Sequence, residues 1–193
     1  RHEHVSAVSA LVRTFEDELD RRSAGTAAGG TMAVPAHSAA RYRSAVTFRI
    51  RAVYALGALL RGNPEAQRLF VREGGPDLLV RDALGTLSSV RGDRPLVKLD
   101  YKLASKVLSL GEDVVADASL HAEDYEFKGT WDNKAGMIAE SFTTEPWCDL
   151  ALRMLSPPDG TIGLVAERAV KERALRSASA LGPGCRASSG DGS

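Results

Sequence analysis

The sequence predicts an all-α protein, a right-handed helical solenoid, and three observations carry that expectation. From Arg49 to Leu84 (RIRAVYALGALLRGNPEAQRLFVREGGPDLLVRDAL) apolar residues recur at three- and four-residue steps on both sides of two breaks, Asn63-Pro64 and Gly74-Gly75. Aromatics make up only 6% of the chain, so Ala, Leu and Val must form a core, which suits helices packed closely on helices. Short sequence patterns also recur along the chain, as a repeated unit requires.

Taken in order, His4 to Arg22 reads as an amphipathic helix with Val5, Val8, Leu11, Val12, Phe15 and Leu19 on one face. Ser23 to Ala40 is rich in Gly, Ala, Ser and Thr and lacks periodicity, which predicts a flexible insertion at 23–40, with Ser23 to Ser38 dispensable. A long helix beginning near Ala40 then carries Ile50, Val53, Leu56, Leu59 and Leu60 on one face. Gly62 and Asn63 end it, and Pro64 opens a short helix to Glu73, because the first helical residue has no intrahelical partner for its N–H. Ala66, Leu69 and Phe70 are its buried side. Gly74 and Gly75 are expected to supply the positive φ of a sharp corner, after which Leu78, Leu79, Ala83 and Leu84 form the next apolar stripe.

The second long helix is expected from Val97 to about Val115, followed by an acidic connection at 116–135. A helix opens at Met137 to Phe142, and Trp147, Leu150, Ala151, Met154 and Leu155 continue the pattern until Pro157-Pro158 stops it. Val165 to Leu181 reads as the last helix, with Val165, Ala169, Ala174, Leu175 and Ala178 apolar, and 186–193 as a tail. Ile50, Val53, Leu56, Leu59, Leu69, Phe70, Leu79 and Val107 are expected to be buried together.

The repeat is visible when the segments are aligned. Leu-Val-Arg occurs at Leu11–Arg13 and again at Leu79–Arg81, and Ala58-Leu59 aligns with Ser109-Leu110. The second offset, about 51 residues, is a little longer than the roughly 40–47 of an armadillo repeat. It is shorter than the first by about the length of the Gly/Ala-rich insertion. A long helix, a short-helix corner, a Gly-Gly break and a medium helix together form the joint between two armadillo-type repeats. Residues 1–22 then become the second helix of a truncated repeat, 41–115 the repeat core and 136–185 a carboxyl-terminal helical cap.

Composition removes other classes. The chain's 25 basic and 25 acidic residues balance, whereas a nucleic-acid binder or membrane-surface protein shows a basic excess. No apolar run is long enough to span a bilayer. The chain begins at Arg1 without an initiating Met or a leader pattern, and is expected to be a processed or partial chain. Its two cysteines, Cys148 and Cys185, are too few for a disulfide framework or a zinc site. They read either as small buried side chains or, in an oxidising compartment, as one disulfide. His2 and His4 have no second cluster to complete a metal site, and the acidic run from Glu112 fits no EF-hand spacing. Gly25–Gly30 lacks the strand-to-helix setting of a phosphate loop, and no nucleophile elbow occurs. No cofactor, metal or enzymatic activity is expected.

The run AVYALGALLRGNPEAQRLFVREGG, followed by EPWCDLALRMLSPPDG and VKERALRSASALGPGC, resembles the armadillo-repeat nucleotide exchange factors of BiP, the heat-shock chaperone of the endoplasmic reticulum (the BiP-associated protein family). The Trp-Cys helix closing on a Pro break is the more specific part, and the resemblance covers roughly Ala40 to Cys185. It implies a monomeric co-chaperone of the endoplasmic reticulum lumen. Such a protein grips the nucleotide-binding domain of BiP, opens its cleft and promotes ADP release, with no nucleic-acid or membrane partner.

The expected contacts are the stripe opposite the buried face of each long helix. These are Arg43, Thr47, Arg51 and Tyr54 on the first, and Lys98, Tyr101, Lys102 and Ser105 on the second. Tyr and Arg suit that role because binding hot spots are enriched in them. The alternatives are a cytosolic exchange factor of the same superfamily and a peptide-binding armadillo scaffold. The scaffold would need a Trp/Asn ladder, and the corresponding pairs here are Tyr54 with Ala58 and Ser105 with Ser109.

Overall fold

A computed structural model describes residues 7–17, 36–88, 94–120 and 135–155, together with helical positions at 168, 172, 174–176 and 179. The protein is all-α, with no strand among the described residues. Its helices are α1 (7–17), α2 (Ala36–Leu60), α3 (Pro64–Arg72), α4 (Gly75–Ser88), α5 (Arg94–Leu120), α6 (Ala135–Ser141) and α7 (Glu145–Leu155).

Both long helices exceed their expected limits. α2 starts at Ala36, so Ala36–Ser38 belong to it; the remainder of the expected insertion lies outside the described residues. The added turn, Ala36 to Ala40, holds three alanines and no breaker, and Ala is the strongest helix former. α5 runs three residues earlier than Val97 and on to Leu120, because Val114 and Ala118, one turn apart, keep the buried stripe going. The first residues of the expected acidic connection are therefore helical.

The α2–α3 corner forms as its residues dictate. Gly62 has φ 61°, and Asn63 caps α3 by accepting from the backbone N–H of Ala66 at 3.1 Å. The α3–α4 corner corrects one expectation. Only Gly74 takes a positive φ, 72°, whereas Gly75 is already the first residue of α4. Gly75 is needed for a different reason: a Cβ there would sit 2.1 Å from the Phe70 ring. Gly111 plays the same part on α5, where a Cβ would come within 2.9 Å of Trp147 and 3.1 Å of Phe142.

The core is continuous from Val8, Val12 and Phe15 of α1 to Ala174. Seven of the eight residues expected in it are buried; Leu59 is only partly so, as are Leu11 and Leu84. Leu175 is exposed rather than apolar-facing, while Val165, Ala169 and Ala178 lie outside the described side chains. Phe142, at the α6–α7 corner, bridges Phe70 (centroids 6.5 Å apart) and Trp147 (5.1 Å), joining α3 to α7 through aromatic contacts.

The packing order is regular. α2 lies along α5, α3 against α6, and α4 against α7, so among the described helices each rests on the third one after it. α5 is the hub, touching α2, α4, α6 and α7. α2 and α5 run parallel, because their cross-contacts advance together: Tyr42 with Asp100, Tyr54 with Lys106, Arg61 with Asp113, and Gly62 with Asp117.

Candidate partner-binding face

Among the 25 residues of α2 there is no Asp or Glu, and its exposed side carries Arg43, Ser44, Phe48, Arg51, Tyr54, Ala55 and Ala58. Phe48, Arg51 and Tyr54 follow one another at three-residue steps, which places them on a single ridge. Phe48 is 55% and Tyr54 54% exposed, unusual for rings of that size on a helix whose other side is core.

On α5 the exposed positions follow four-residue steps from Lys98 to Lys102, with Lys106 half-buried one turn further on. The Lys106 ammonium lies 4.8 Å from the Tyr54 ring centroid, a cation–π contact that ties the two helices together and makes one surface of their outer sides.

The carboxyl-terminal end of this surface is held internally. Asp117 accepts from the backbone N–H of Gly62 at 2.8 Å and from Gln67 Nε2 at 2.6 Å, and that same Gln67 donates to the Leu60 carbonyl at 2.9 Å. Arg61 pairs with Asp113. One carboxylate thus serves the corner backbone, and another neutralises the arginine beside it.

Of the eight residues expected at the partner surface, Arg43, Arg51, Tyr54, Lys98 and Lys102 are exposed and Thr47 is half-buried. Tyr101 and Ser105 are corrections, at 6% and 7% exposure. The open stripe of α5 passes through Lys98, Lys102 and Ala116, and Tyr101 and Ser105 lie to one side of it, turned inward. Burial raises the Tyr101 phenol above its ordinary value. Phe48 and Lys106 are the residues sequence reasoning missed. The three-residue step from Arg51 would have found Phe48, and the four-residue step from Lys102 would have found Lys106.

Cys148, on α7, is disulfide-bonded and buried; Cys185, the chain's other cysteine, lies outside the described residues. Among the described residues no group of three His, Cys, Asp or Glu side chains could hold a metal ion, and no helix is long and apolar enough to cross a membrane. Compared with protein-family models, curated proteins and solved structures, the chain matches none.

Proposed function

We propose that the chain is part of an armadillo-type solenoid that acts as a nucleotide exchange factor for BiP, binding its nucleotide-binding domain through the joined outer sides of α2 and α5. The observation that carries this reading is the parallel packing of two long helices three places apart, with an exposed Arg–Tyr–Lys surface along the pair. In an armadillo solenoid such helices line the recognition face. The sequence runs that resemble the exchange factors cover the carboxyl-terminal part of α2, α3 and the Trp147 helix.

The mechanism needs no bond-breaking step and no cofactor. A rigid face that fits the open nucleotide cleft better than the closed one shifts the chaperone towards opening. By linkage, ADP and the exchange factor then weaken each other's binding, and a coupling of ~1–3 kcal/mol corresponds to about 5–150-fold. The half-buried and exposed side chains of α2 and α5 supply the contact; the buried aromatic contacts of Phe70, Phe142 and Trp147 keep the face rigid while it acts. The protein works as a monomer in the endoplasmic reticulum lumen. A disulfide-bonded Cys148 fits that oxidising compartment better than the cytosol of the rival exchange-factor reading.

The peptide-scaffold reading is weaker, because a Tyr54/Ala58 pair on α2 and a buried Ser105 on α5 offer no amide ladder to clamp an extended backbone. Release of a fluorescent ADP analogue from BiP, timed with and without the chain, decides between them. Faster release is expected. An unchanged release rate together with binding of extended peptides would replace the exchange reading with the scaffold.

A further inference from the structure

The acids of the two long helices are all engaged within the fold, and four of their cations are not. α2 has no Asp or Glu. Of the four acids on α5, Asp100 is 2% exposed and accepts from Tyr42 at 2.8 Å, Asp113 is paired with Arg61, and Asp117 serves the Gly62 N–H and Gln67. Glu112, the fourth, is half-buried and already engaged. Arg43, Arg51, Lys98 and Lys102 are exposed, and none of them is paired with an acid among the described residues. The Tyr42–Asp100 bond sets Arg43 of α2 level with Lys98 and Lys102 of α5, and Arg51 follows about two turns further along α2. Exposed Phe48 lies between the two arginines. The excess is local, because the whole chain is neutral.

We propose that this face binds an acidic protein segment, its carboxylates meeting Arg43, Arg51, Lys98 and Lys102 while an apolar side chain packs on Phe48. The inference rests on the reading of α2 and α5 as the partner-binding face and adds the chemistry of the surface they grip. Charge complementarity carries it. A carboxylate-rich segment supplies the anions that the fold withholds from these cations, and matched potentials speed encounter and set specificity. Arginine beside an exposed ring is also the composition of a binding hot spot. A single-stranded nucleic acid fits less well, because its bases stack on a row of open rings. Here the Lys106 ammonium already faces the Tyr54 ring at 4.8 Å, which leaves Phe48 as the open ring of α2. An anionic bilayer suits a helix with a broad apolar side to bury. Among the described residues of α2, the large apolar side chains exposed to solvent are these two rings and no others.

Two probes separate this inference from the exchange reading. The first is the nucleotide-binding domain of BiP. The second is a synthetic glutamate-rich peptide with a central leucine pair, compared with its glutamine counterpart, a single-stranded RNA and phosphatidylserine vesicles. Binding of the wild-type chain is measured beside Lys98→Glu/Lys102→Glu, Phe48→Ala and an exposed control, Arg176→Glu. The glutamate peptide is expected to bind wild type about tenfold or more tighter than the glutamine peptide, with salt weakening it. It should lose about tenfold or more in the double variant and several-fold in Phe48→Ala, but nothing in the control. RNA and vesicles are expected to bind less tightly than the glutamate peptide. If BiP fails to bind while the glutamate peptide behaves as expected, the exchange reading falls and this inference stands. The inference is overturned, whatever BiP does, if the glutamine peptide binds as well, if either variant binds the glutamate peptide as wild type does, or if RNA or vesicles bind more tightly.

Discussion

The Arg49 guanidinium of α2 donates to the Asp82 carboxylate of α4 at 2.7 Å, and the two side chains are only 2% and 1% exposed. Thr86 joins them, accepting from the same Nη1 at 3.1 Å and donating to the Asp82 carbonyl at 2.7 Å. Arg49 Nε reaches back to the Ala45 carbonyl at 3.4 Å. A full ion pair is thus sealed between α2 and α4.

The first prediction concerns this pair. Removing one partner leaves an uncompensated buried charge, so Arg49→Ala or Asp82→Ala should each cost about 3–5 kcal/mol. Replacing both with Leu should cost far less, because the desolvation penalty of the ions disappears with them. Urea unfolding of the three variants checks this; a double variant as unstable as the singles would mean that the pair contributes more than it costs to bury.

Two glycines on α4 should respond oppositely to alanine. At Gly75 the new Cβ would meet the Phe70 ring at 2.1 Å, and overpacking of that kind costs about 1–3 kcal/mol. Gly85 is exposed within the same helix, with nothing within 4 Å, so Gly85→Ala should stabilise by about 0.5–1 kcal/mol. Melting temperatures should move in opposite directions.

Replacing Arg51 and Tyr54 together with Ala should slow ADP release from BiP while leaving the far-ultraviolet circular dichroism of the chain unchanged, since both side chains are exposed on α2. A normal exchange rate in this variant would move the contact surface elsewhere.

Tyr101 should make the fold sensitive to alkali. Its phenol is raised by burial, so the folded state holds that proton more tightly than the unfolded chain does. The linked stability is fully present below the ordinary tyrosine value of about 10 and is lost as pH rises through the higher folded value. Tyr101→Phe should flatten the alkaline fall in stability measured by denaturant unfolding; an unchanged fall would assign it to other groups.

Reducing the chain, or making Cys148→Ser, should lower the melting temperature, since losing a disulfide typically costs about 2–5 kcal/mol. Mass spectrometry of the unreduced digest should find Cys148 joined to Cys185, the other cysteine of the sequence. A free thiol at Cys148 would remove that contribution.

The corners were the most legible part of the sequence, because Pro64, Gly62 and Gly74 each act locally and need no distant partner. The helix limits were not. Ala36 to Ala40 is strongly helix-forming, yet it lacks the apolar spacing by which a helix is recognised. Arg49 was equally hidden. It lies on the buried side one turn before Val53, and only Asp82, far along the chain, makes a buried arginine sustainable. On the candidate face, the α2 stripe follows directly from three-residue steps. Tyr101 and Ser105 were misplaced because the sequence marks which side of α5 is apolar, not how wide an arc tertiary packing covers.

The packing of α2 on α5, the third described helix after it, has a kinetic meaning. Cross-contacts between α2 and α5 close over 52 to 58 residues, and none of these needs the chain ends to meet. Closure entropy of that size changes little from one such step to the next. The packing of α5 on α2 can therefore form as the chain is synthesised, before α7 exists.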